Sequence, residues 1–201
     1  PLFTTNYKLP TTDYRLPTMT SPTVLSVNSK DTPGVGKLPR ESVTLVAGHG
    51  VEGDYHAGAN VRHRSRAAAN PDHPNLRQVH LMHAELFDEL APLGIRVEPG
   101  NMGENITTRG LALLDLAPGT ELHLGESAVI EITGCRNPCA QLNAVDERLL
   151  AQVALKADDG SIIRKAGVMA IVLEGGTVRP GDAIRVEAPS GTVAAARLQP
   201  V

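Results

Sequence analysis

The sequence predicts a mainly β protein with a few short helices. The chain of 201 residues contains 19 glycines and 15 prolines, and many short β-branched runs lie between them. This alternation is typical of short strands joined by tight turns, as in a barrel or a sandwich, rather than of a helical bundle. The length allows one domain with a large core, or at most two small ones.

Composition argues against several classes of function. A formal net charge of -3 is unlike that of a general nucleic-acid binder, which carries a basic face. With two Phe, three Tyr and no Trp, a base-stacking platform is also disfavoured. No continuous apolar run is long enough for a membrane span. Two cysteines do not make a disulfide framework, so we expect a reducing, cytoplasmic compartment.

The pattern along the chain predicts a leader, one folded domain and a tail. Residues 1–21 are rich in Thr and Pro and lack both apolar periodicity and the hydrophobic core of a signal peptide, so we expect a flexible leader. The domain is expected at residues 22–190 and the tail at 191–201. Early in the domain, residues 24–27 and 42–46 are predicted strands.

A glycine-rich loop at residues 48–58 is followed by a basic group. Glycine lets the backbone approach a ligand closely or adopt positive φ. The basic group comprises Arg62, His63, Arg64, Arg66 and Arg77. Only Asp72 opposes this charge. The group indicates either an anion site, in which arginines hold a phosphate, or a solvated surface loop.

Helical spacing begins at Gln78 and predicts an amphipathic helix that ends near Pro92 or Gly94. Its apolar face comprises Val79, Met82, Leu86, Leu90 and Leu93. His80 and His83 lie three residues apart on this helix and are either solvated or part of a zinc site. A zinc pair is disfavoured because zinc needs three or four ligands and no acidic partner has the usual spacing.

Two later segments repeat one pattern. Residues 118–124 and 180–186 each begin with Pro-Gly, which suits a type II turn, and continue as an alternating strand. They are predicted to be matching elements of a barrel. An earlier segment, residues 101–110, is dense in polar side chains that donate and accept hydrogen bonds.

A second short helix is predicted from Asp146, a good N-cap, to Lys156. Asp159 and Gly160 then turn the chain into strands at residues 161–164 and 167–173.

The two cysteines follow a predicted strand at residues 128–133. Cys135 and Cys139 therefore lie where a strand ends and a loop begins, a common position for functional groups. Arg136 lies three residues before Cys139, and a fixed positive charge favours the thiolate, which is both the nucleophile and the metal ligand. Cys139 is either such a thiolate or a small buried apolar residue, as most free cysteines are.

Four segments together carry a family resemblance. They are residues 50–54 (GVEGD), 100–108 (GNMGENITT), 136–139 (RNPC) and 167–182. In order and spacing they resemble the MOSC domain, the molybdenum cofactor sulfurase C-terminal family, over about residues 24–187. The resemblance implies a MOSC-type β-barrel with a cleft for molybdopterin, the pterin-based molybdenum cofactor. Pyridoxal phosphate binding is a further family property that it implies.

The same resemblance assigns roles to particular residues. Cys139 matches the family cysteine that ligates molybdenum or carries sulfur, and Arg136 is the second expected catalytic residue. The terminal phosphate of the cofactor becomes the expected partner of the basic group. The other expected cofactor contacts are Gly103, Glu104, Asn105, Thr107 and Asn137. Cys135 departs from the family pattern and is a resolving thiol, a second ligand or ordinary filling.

The implied function is a small molybdenum enzyme that reduces N-hydroxylated compounds, with the Cys139 thiolate on the metal. The alternatives are a cofactor carrier without turnover and a sulfur-transfer protein that uses a Cys139 persulfide. No cysteine array for an iron–sulfur cluster is present, so electrons are expected from a separate electron-donor protein. Elemental analysis separates the alternatives, since molybdenum favours an enzyme or carrier and labile sulfur favours transfer.

Overall fold

The structure is a computed structural model that describes residues 21–61, 72–189 and 197–201. Almost all of the predicted leader, residues 1–20, lies outside the described residues. So do four members of the basic group, Arg62, His63, Arg64 and Arg66.

Strands dominate the part of the chain that the structure describes. Their bounds are β1 Thr23–Ser29, β2 Leu38–Arg40, β3 Val43–Val46, β4 Gly50–Val51, β5 Val79–His83, β6 Ile106–Arg109, β7 Glu121–Leu124, β8 Ala128–Cys135, β9 Ala154–Lys156, β10 Ile162–Arg164, β11 Val168–Glu174, β12 Gly176–Val178 and β13 Ile184–Glu187. The α-helices are short, α1 at Glu85–Leu90 and α2 at Leu149–Val153. Single 3-10 turns lie at Ala91–Leu93, Leu113–Asp115 and Ala140–Ala144. The predicted mainly β fold with a few short helices is therefore confirmed.

Eight strands form one sheet in the order β13-β7-β8-β11-β5-β6-β1-β2. Its pairs are antiparallel except β5 and β6, which run parallel. The backbone N–H of Val24 donates to the carbonyl of Asp182, and that of Ile184 donates to Pro22, both at 2.9 Å. The sheet therefore curves enough to bring β1 against the start of β13. A smaller sheet has the order β12-β3-β4, and β9 and β10 form a hairpin.

The two Pro-Gly segments are neighbours in this sheet. Their strands, β7 and β13, pair directly, with Leu124 opposite Ile184 and Leu122 opposite Val186. Gly119 and Gly181 both have positive φ, at 80° and 92°, as the third residue of a type II turn requires. The predicted correspondence between the two segments is therefore seen as direct pairing.

Two hydrophobic clusters stabilise the described residues. The first fills the inside of the curved sheet, and the second lies where α1 and α2 pack against the residues before β6. Val27, Leu81 and Ile106 are fully buried in the first cluster, and Met82 is fully buried in the second. Burying one such side chain contributes about 1.5–3 kcal/mol. Because Leu81 and Met82 are adjacent on β5, this strand is apolar on both faces.

The predicted helix beginning at Gln78 is wrong over its first half. Residues Val79–His83 form β5, which pairs with β11 and β6, and only Glu85–Leu90 is α-helical. All five residues of β5 are buried, so its apolar positions do not mark a single helical face. The predicted end is confirmed, because Gly94 has a φ of 72° and caps the 3-10 turn after α1. Leu93, predicted to be inward, is 50% exposed.

The histidines of this segment are buried rather than solvated. His80 is 6% exposed and His83 is 8% exposed, because they lie on a strand in the middle of the sheet. No group of three or more His, Cys, Asp or Glu among the described residues is arranged to hold a metal ion.

The predicted helix from Asp146 to Lys156 is much shorter in the structure. The helix α2 covers Leu149–Val153, and β9 then pairs with β10. The Asp146 carboxylate accepts the backbone N–H of Arg148 at 2.9 Å, so it closes the turn before the helix instead of capping it. The predicted turn at Gly160 is confirmed by its φ of 81° and by the strands that follow it.

Candidate functional site

A cleft with a volume of about 650 Å³ opens beside the large sheet. Five loop segments contribute to its wall: residues 30–37 after β1, 55–61 after β4, 75–77 before β5, 102–105 before β6, and 136–142 after β8. His80 of β5 and Met169 of β11 complete the lining from the sheet. The cleft therefore lies where loops from distant parts of the chain converge on a rigid scaffold, as is usual for ligand sites.

The lining of this cleft is positively charged. It includes Lys30, Lys37, Arg77 and Arg136, and none of the described residues that line it is Asp or Glu. We refer to it as the basic cleft. Walls of low dielectric concentrate the field of several like charges and attract ions of the opposite sign. The basic cleft therefore suits an anionic ligand such as a phosphate ester.

A buried ion pair supports one of these charges. Lys37 Nζ lies 2.6 Å from Asp54 Oδ2, and the two side chains are 5% and 2% exposed. Burial lowers the pKa of Lys37, although the Asp54 carboxylate opposes that shift. Burial alone would raise the pKa of Asp54, but hydrogen bonds from His56 and Lys37 hold it well below its ordinary value. The carboxylate is therefore charged at neutral pH and keeps the Lys37 ammonium at the cleft wall.

Asn105 fixes the Asp54 carboxylate from behind. Its side-chain amide donates to Asp54 Oδ2 at 3.2 Å and to the carbonyl of Asn28 at 3.3 Å, and its Oδ1 accepts the backbone N–H of His80 at 3.2 Å. Asn105 borders the basic cleft, yet both hydrogens of its amide are held by protein groups. It therefore joins β1, β5 and the ion pair into one unit.

Glu104 and Thr107 are fully buried and do not line the cleft. Glu104 Oε1 accepts the backbone N–H of Gly100 at 2.6 Å and the Thr107 hydroxyl at 3.0 Å. Burial raises the pKa of Glu104 despite these hydrogen bonds. These two residues stabilise the turn that presents Gly103 to the cleft.

His80 forms part of the cleft floor. Its Nε2 lies 2.8 Å from the carbonyl of Ala166. Burial and the nearby Arg136 charge hold the pKa of His80 well below its ordinary value, so the ring is neutral at pH 7. Gly167, which follows Ala166, has a φ of 86°, and a Cβ there would overlap the carbonyl of Leu81. Close packing of Gly167 on β5 thus fixes the histidine and the start of β11.

Cys139 is exposed and lies on the wall of the basic cleft. Its Sγ is 3.7 Å from Gln141 Oε1. The neighbouring Arg136 donates from Nη1 to the carbonyl of Met102 at 2.7 Å, so its guanidinium is anchored across the cleft. Burial lowers the pKa of Arg136, while its interactions with Cys139 and Glu104 counter that shift. The buried, apolar interpretation of Cys139 is therefore wrong.

Cys135 has different surroundings. It is the last residue of β8 and is buried, with Sγ 3.7 Å from the carbonyl of Leu198. Burial raises the pKa of its thiol. The backbone N–H of Cys135 donates to Gln199 at 2.9 Å, so the segment 197–201 covers the end of β8. Of the three roles predicted for Cys135, its buried position matches that of an ordinary core residue that fills space.

The structure brings most of the described candidate residues together. Those that line the basic cleft are Arg77, Gly103, Asn105, Arg136, Asn137 and Cys139. Asn137 Oδ1 accepts a hydrogen bond from Arg164 Nε at 3.0 Å, which anchors the loop that carries the cysteine. Sequence reasoning missed Lys30, Lys37 and His56. The only available signal was Asp54 at the end of the GVEGD segment, a charged residue directly after a glycine turn.

The family model of the MOSC domain matches residues 54–185, which is more than half of the chain. The chain belongs to the MOSC domain family. No curated protein resembles it closely enough to count as a match.

Solved structures with the same fold include the YuaD protein of Bacillus subtilis. Its TM-score with this MOSC protein is 0.70 at 21% identity, over 84% of this chain and 97% of that one. YiiM from Geobacillus stearothermophilus has a TM-score of 0.58 at 20% identity, over 83% and 75% of the two chains. YiiM from Escherichia coli has a TM-score of 0.53 at 22% identity, over 85% and 72%. At these identities the likeness establishes the MOSC-like fold.

The donor set of this MOSC domain fits the molybdenum cofactor with which the family is associated. An exposed thiol suits a soft metal centre, and the cationic lining suits the phosphate of the pterin. The volume of about 650 Å³ lies within the range of cofactor pockets.

Helices in the described residues are all too short or too polar to cross a membrane.

Proposed function

We propose that this MOSC protein is a molybdenum-cofactor-dependent oxidoreductase that reduces small N-hydroxylated compounds. The observation that carries the proposal is the exposed Cys139 thiol on the wall of a cleft whose described lining has four cationic and no acidic side chains. A thiol that only filled space would be buried, as Cys135 is. The bound cofactor would supply the two-electron chemistry that side chains lack.

The residues of the chain have three roles in this proposal. Cys139 provides the thiolate ligand, and Arg136 stabilises its negative charge from a position fixed by Met102. Arg77 binds the anionic part of the cofactor, since it lines the cleft. The neutral imidazole of His80 donates to Ala166 and keeps the cleft floor in place.

The overall reaction would break the N–O bond, consume two electrons and two protons, and release water. Lys37 lines the cleft, and burial lowers the pKa of its side chain although Asp54 opposes that shift. We propose that Lys37 donates a hydrogen bond to the departing hydroxyl oxygen. We further propose that electrons come from a separate donor protein in a cytoplasmic compartment, and the low cysteine content supports this.

The test compares two single-thiol variants after loading with molybdenum cofactor. Cys139→Ser is expected to abolish reduction of an N-hydroxylated substrate with a chemical electron donor, whereas Cys135→Ser keeps most of the activity. Replacing a thiol by a hydroxyl changes volume little, so both variants should fold. An active Cys139 variant would disprove the thiolate-ligand mechanism.

Elemental analysis of the purified protein distinguishes the proposed enzyme from a cofactor carrier and from a sulfur-transfer protein. Molybdenum together with turnover supports the proposal, and molybdenum without turnover supports a carrier. Labile sulfur on Cys139 without molybdenum supports sulfur transfer, to which an exposed thiol is also suited.

A further inference from the structure

His56 and His80 both line the basic cleft, but only His56 has an open ring. The side chain of His56 is 45% exposed. His80 is buried, and its Nε2 already contacts the carbonyl of Ala166. His56 can therefore exchange a proton with water, whereas the ring of His80 has no such access.

Three neighbours fix the orientation of His56. Its Nδ1 lies 3.6 Å from Asp54 Oδ1, and its backbone N–H donates to the same oxygen at 3.0 Å. Its carbonyl accepts a hydrogen bond from the side-chain amide of Asn75 at 3.1 Å. The ring also packs edge-on against Tyr55, with 5.2 Å between the ring centroids. The loop that carries His56 is thus held on both sides of the residue.

The Asp54 carboxylate decides which ring nitrogen can serve a ligand. An acceptor beside Nδ1 keeps a proton on that atom, so the proton that a protonated ring can give up is the one on Nε2. An imidazole oriented by a carboxylate is a recurring arrangement in proton transfer. The same carboxylate holds Lys37 Nζ through its other oxygen.

The other cleft groups are less suited to supplying a proton. The side chain of Lys37 is 5% exposed, so a proton lost there is not readily replaced from water. Lys30 Nζ and the Tyr55 hydroxyl have no hydrogen-bond partner among the described residues, so neither is held in one position. Guanidinium groups do not release protons in proteins, which excludes Arg77 and Arg136.

We propose that His56 is a catalytic residue that donates the proton on Nε2 to the hydroxyl oxygen of the N-hydroxylated substrate as the N–O bond breaks. This inference rests on the proposed reduction and adds its proton donor. The oxygen takes the proton of His56 and leaves as water. Two electrons from the donor protein pass to the nitrogen, which takes the second proton from solvent. Water then protonates His56 again, because its ring is exposed.

The first test is His56→Ala, loaded with molybdenum cofactor and assayed with acetamidoxime and a chemical electron donor. The turnover rate should fall at least about 100-fold, because general acid catalysis contributes about 10²–10⁴-fold. Added imidazole should restore at least about tenfold, since it can occupy the space of the missing ring and donate the proton. The matched control is His49→Ala, an exposed histidine outside the cleft lining, which should keep its rate within about twofold and ignore imidazole.

A second substrate separates proton donation from a structural role. The O-acetyl ester of acetamidoxime releases acetate, which leaves as an anion and needs no proton. His56→Ala should therefore slow its reduction by less than about threefold. An equal loss with both substrates would show that the alanine only disturbs the cleft, and would overturn the proposal.

A third measurement needs neither cofactor nor turnover. Acetamidoxime added to the full, cofactor-free chain should shift the NMR signals of the His56 ring and leave those of His49 unchanged. No shift at about 100 mM would also overturn the proposal.

The outcomes separate this inference from the proposed function. A loaded wild-type protein without reductase activity overturns both. Activity that Cys139→Ser abolishes and His56→Ala retains overturns only the role of His56.

Discussion

Removing the carboxylate of the buried ion pair by Asp54→Asn is expected to destabilise the protein strongly. The carboxylate faces Lys37 Nζ at 2.6 Å, and it also accepts backbone N–H groups of Lys30 at 3.2 Å and His56 at 3.0 Å. Asparagine has a similar shape, but it has one acceptor oxygen instead of two and no charge. The Lys37 ammonium would then be buried without a counter-charge.

The expected loss is about 3–4.5 kcal/mol. Breaking a buried ion pair by removing one partner costs about 3–5 kcal/mol. The part of this loss that comes from the unpaired charge has an upper limit, because Lys37 can lose its proton and become neutral. With an ordinary lysine pKa of about 10.4, neutralising the side chain at pH 7 costs about 4.6 kcal/mol.

Urea denaturation at several pH values measures both the loss and its cause. In Asp54→Asn the pKa of Lys37 falls further below its unfolded value, since the opposing effect of Asp54 is gone. The unfolded state then binds more protons between the two pKa values, so stability rises as pH approaches the unfolded pKa of about 10.4, by up to about 1.4 kcal/mol per pH unit. The wild-type protein should show a smaller rise in that window. It should lose stability as pH falls below about 4, because the pKa of Asp54 is lowered by folding.

The double variant Lys37→Met/Asp54→Asn supplies the control. It has no buried charge at this position and should be more stable at pH 7 than Asp54→Asn alone. A loss below about 1 kcal/mol with no rise in stability above pH 7 would refute the reasoning, because it would mean that Lys37 is solvated in the folded state.

Two further substitutions test the scaffold and the charge of the basic cleft. Gly167→Ala should cost at least about 2 kcal/mol in urea denaturation, because the residue has positive φ and no room for Cβ against Leu81; Gly160→Ala, with positive φ in open space, should cost about 1 kcal/mol. Equal losses of stability in Gly167→Ala and Gly160→Ala would contradict the claim that a Cβ at Gly167 has no room against Leu81. Arg77→Gln should weaken binding of inorganic phosphate about tenfold in calorimetry, while Arg185→Gln on the exposed β13 should not. If Arg77→Gln binds phosphate as tightly as the wild-type protein, Arg77 does not contribute to anion binding.

Local patterns predicted the parts of the fold that depend on neighbouring residues. The Pro-Gly turns at residues 118–119 and 180–181 identified strands β7 and β13, which the structure pairs directly. The apolar run before Cys135 identified β8 and placed the Cys139 loop correctly at its end. In these segments the turn chemistry and the strand alternation agree, so the sequence is unambiguous.

The remainder of the cleft depends on contacts that leave no local pattern. Lys37 and Asp54 are 17 positions apart, and neither spacing nor composition connects a lone lysine with a distant aspartate. The apolar residues of β5 were predicted as a helix because Val79, Met82 and Leu86 happen to have helical spacing. A strand buried on both faces cannot be distinguished from a buried helix by periodicity alone.

The strand β5, which the spacing predicts as a helix, borders two separate concavities. On a strand, residues three apart point to opposite faces, so β5 presents His80 to the basic cleft and His83 to a second concavity, whose lining includes Glu85, Glu89 and Asp115. Both rings are buried, and burial lowers both pKa values, so neither adds charge at neutral pH. The sign of each site is therefore set by its other residues: Lys30, Lys37, Arg77 and Arg136 on one side, and carboxylates on the other. A chain with a net charge of only -3 can in this way separate cationic from anionic side chains across one strand.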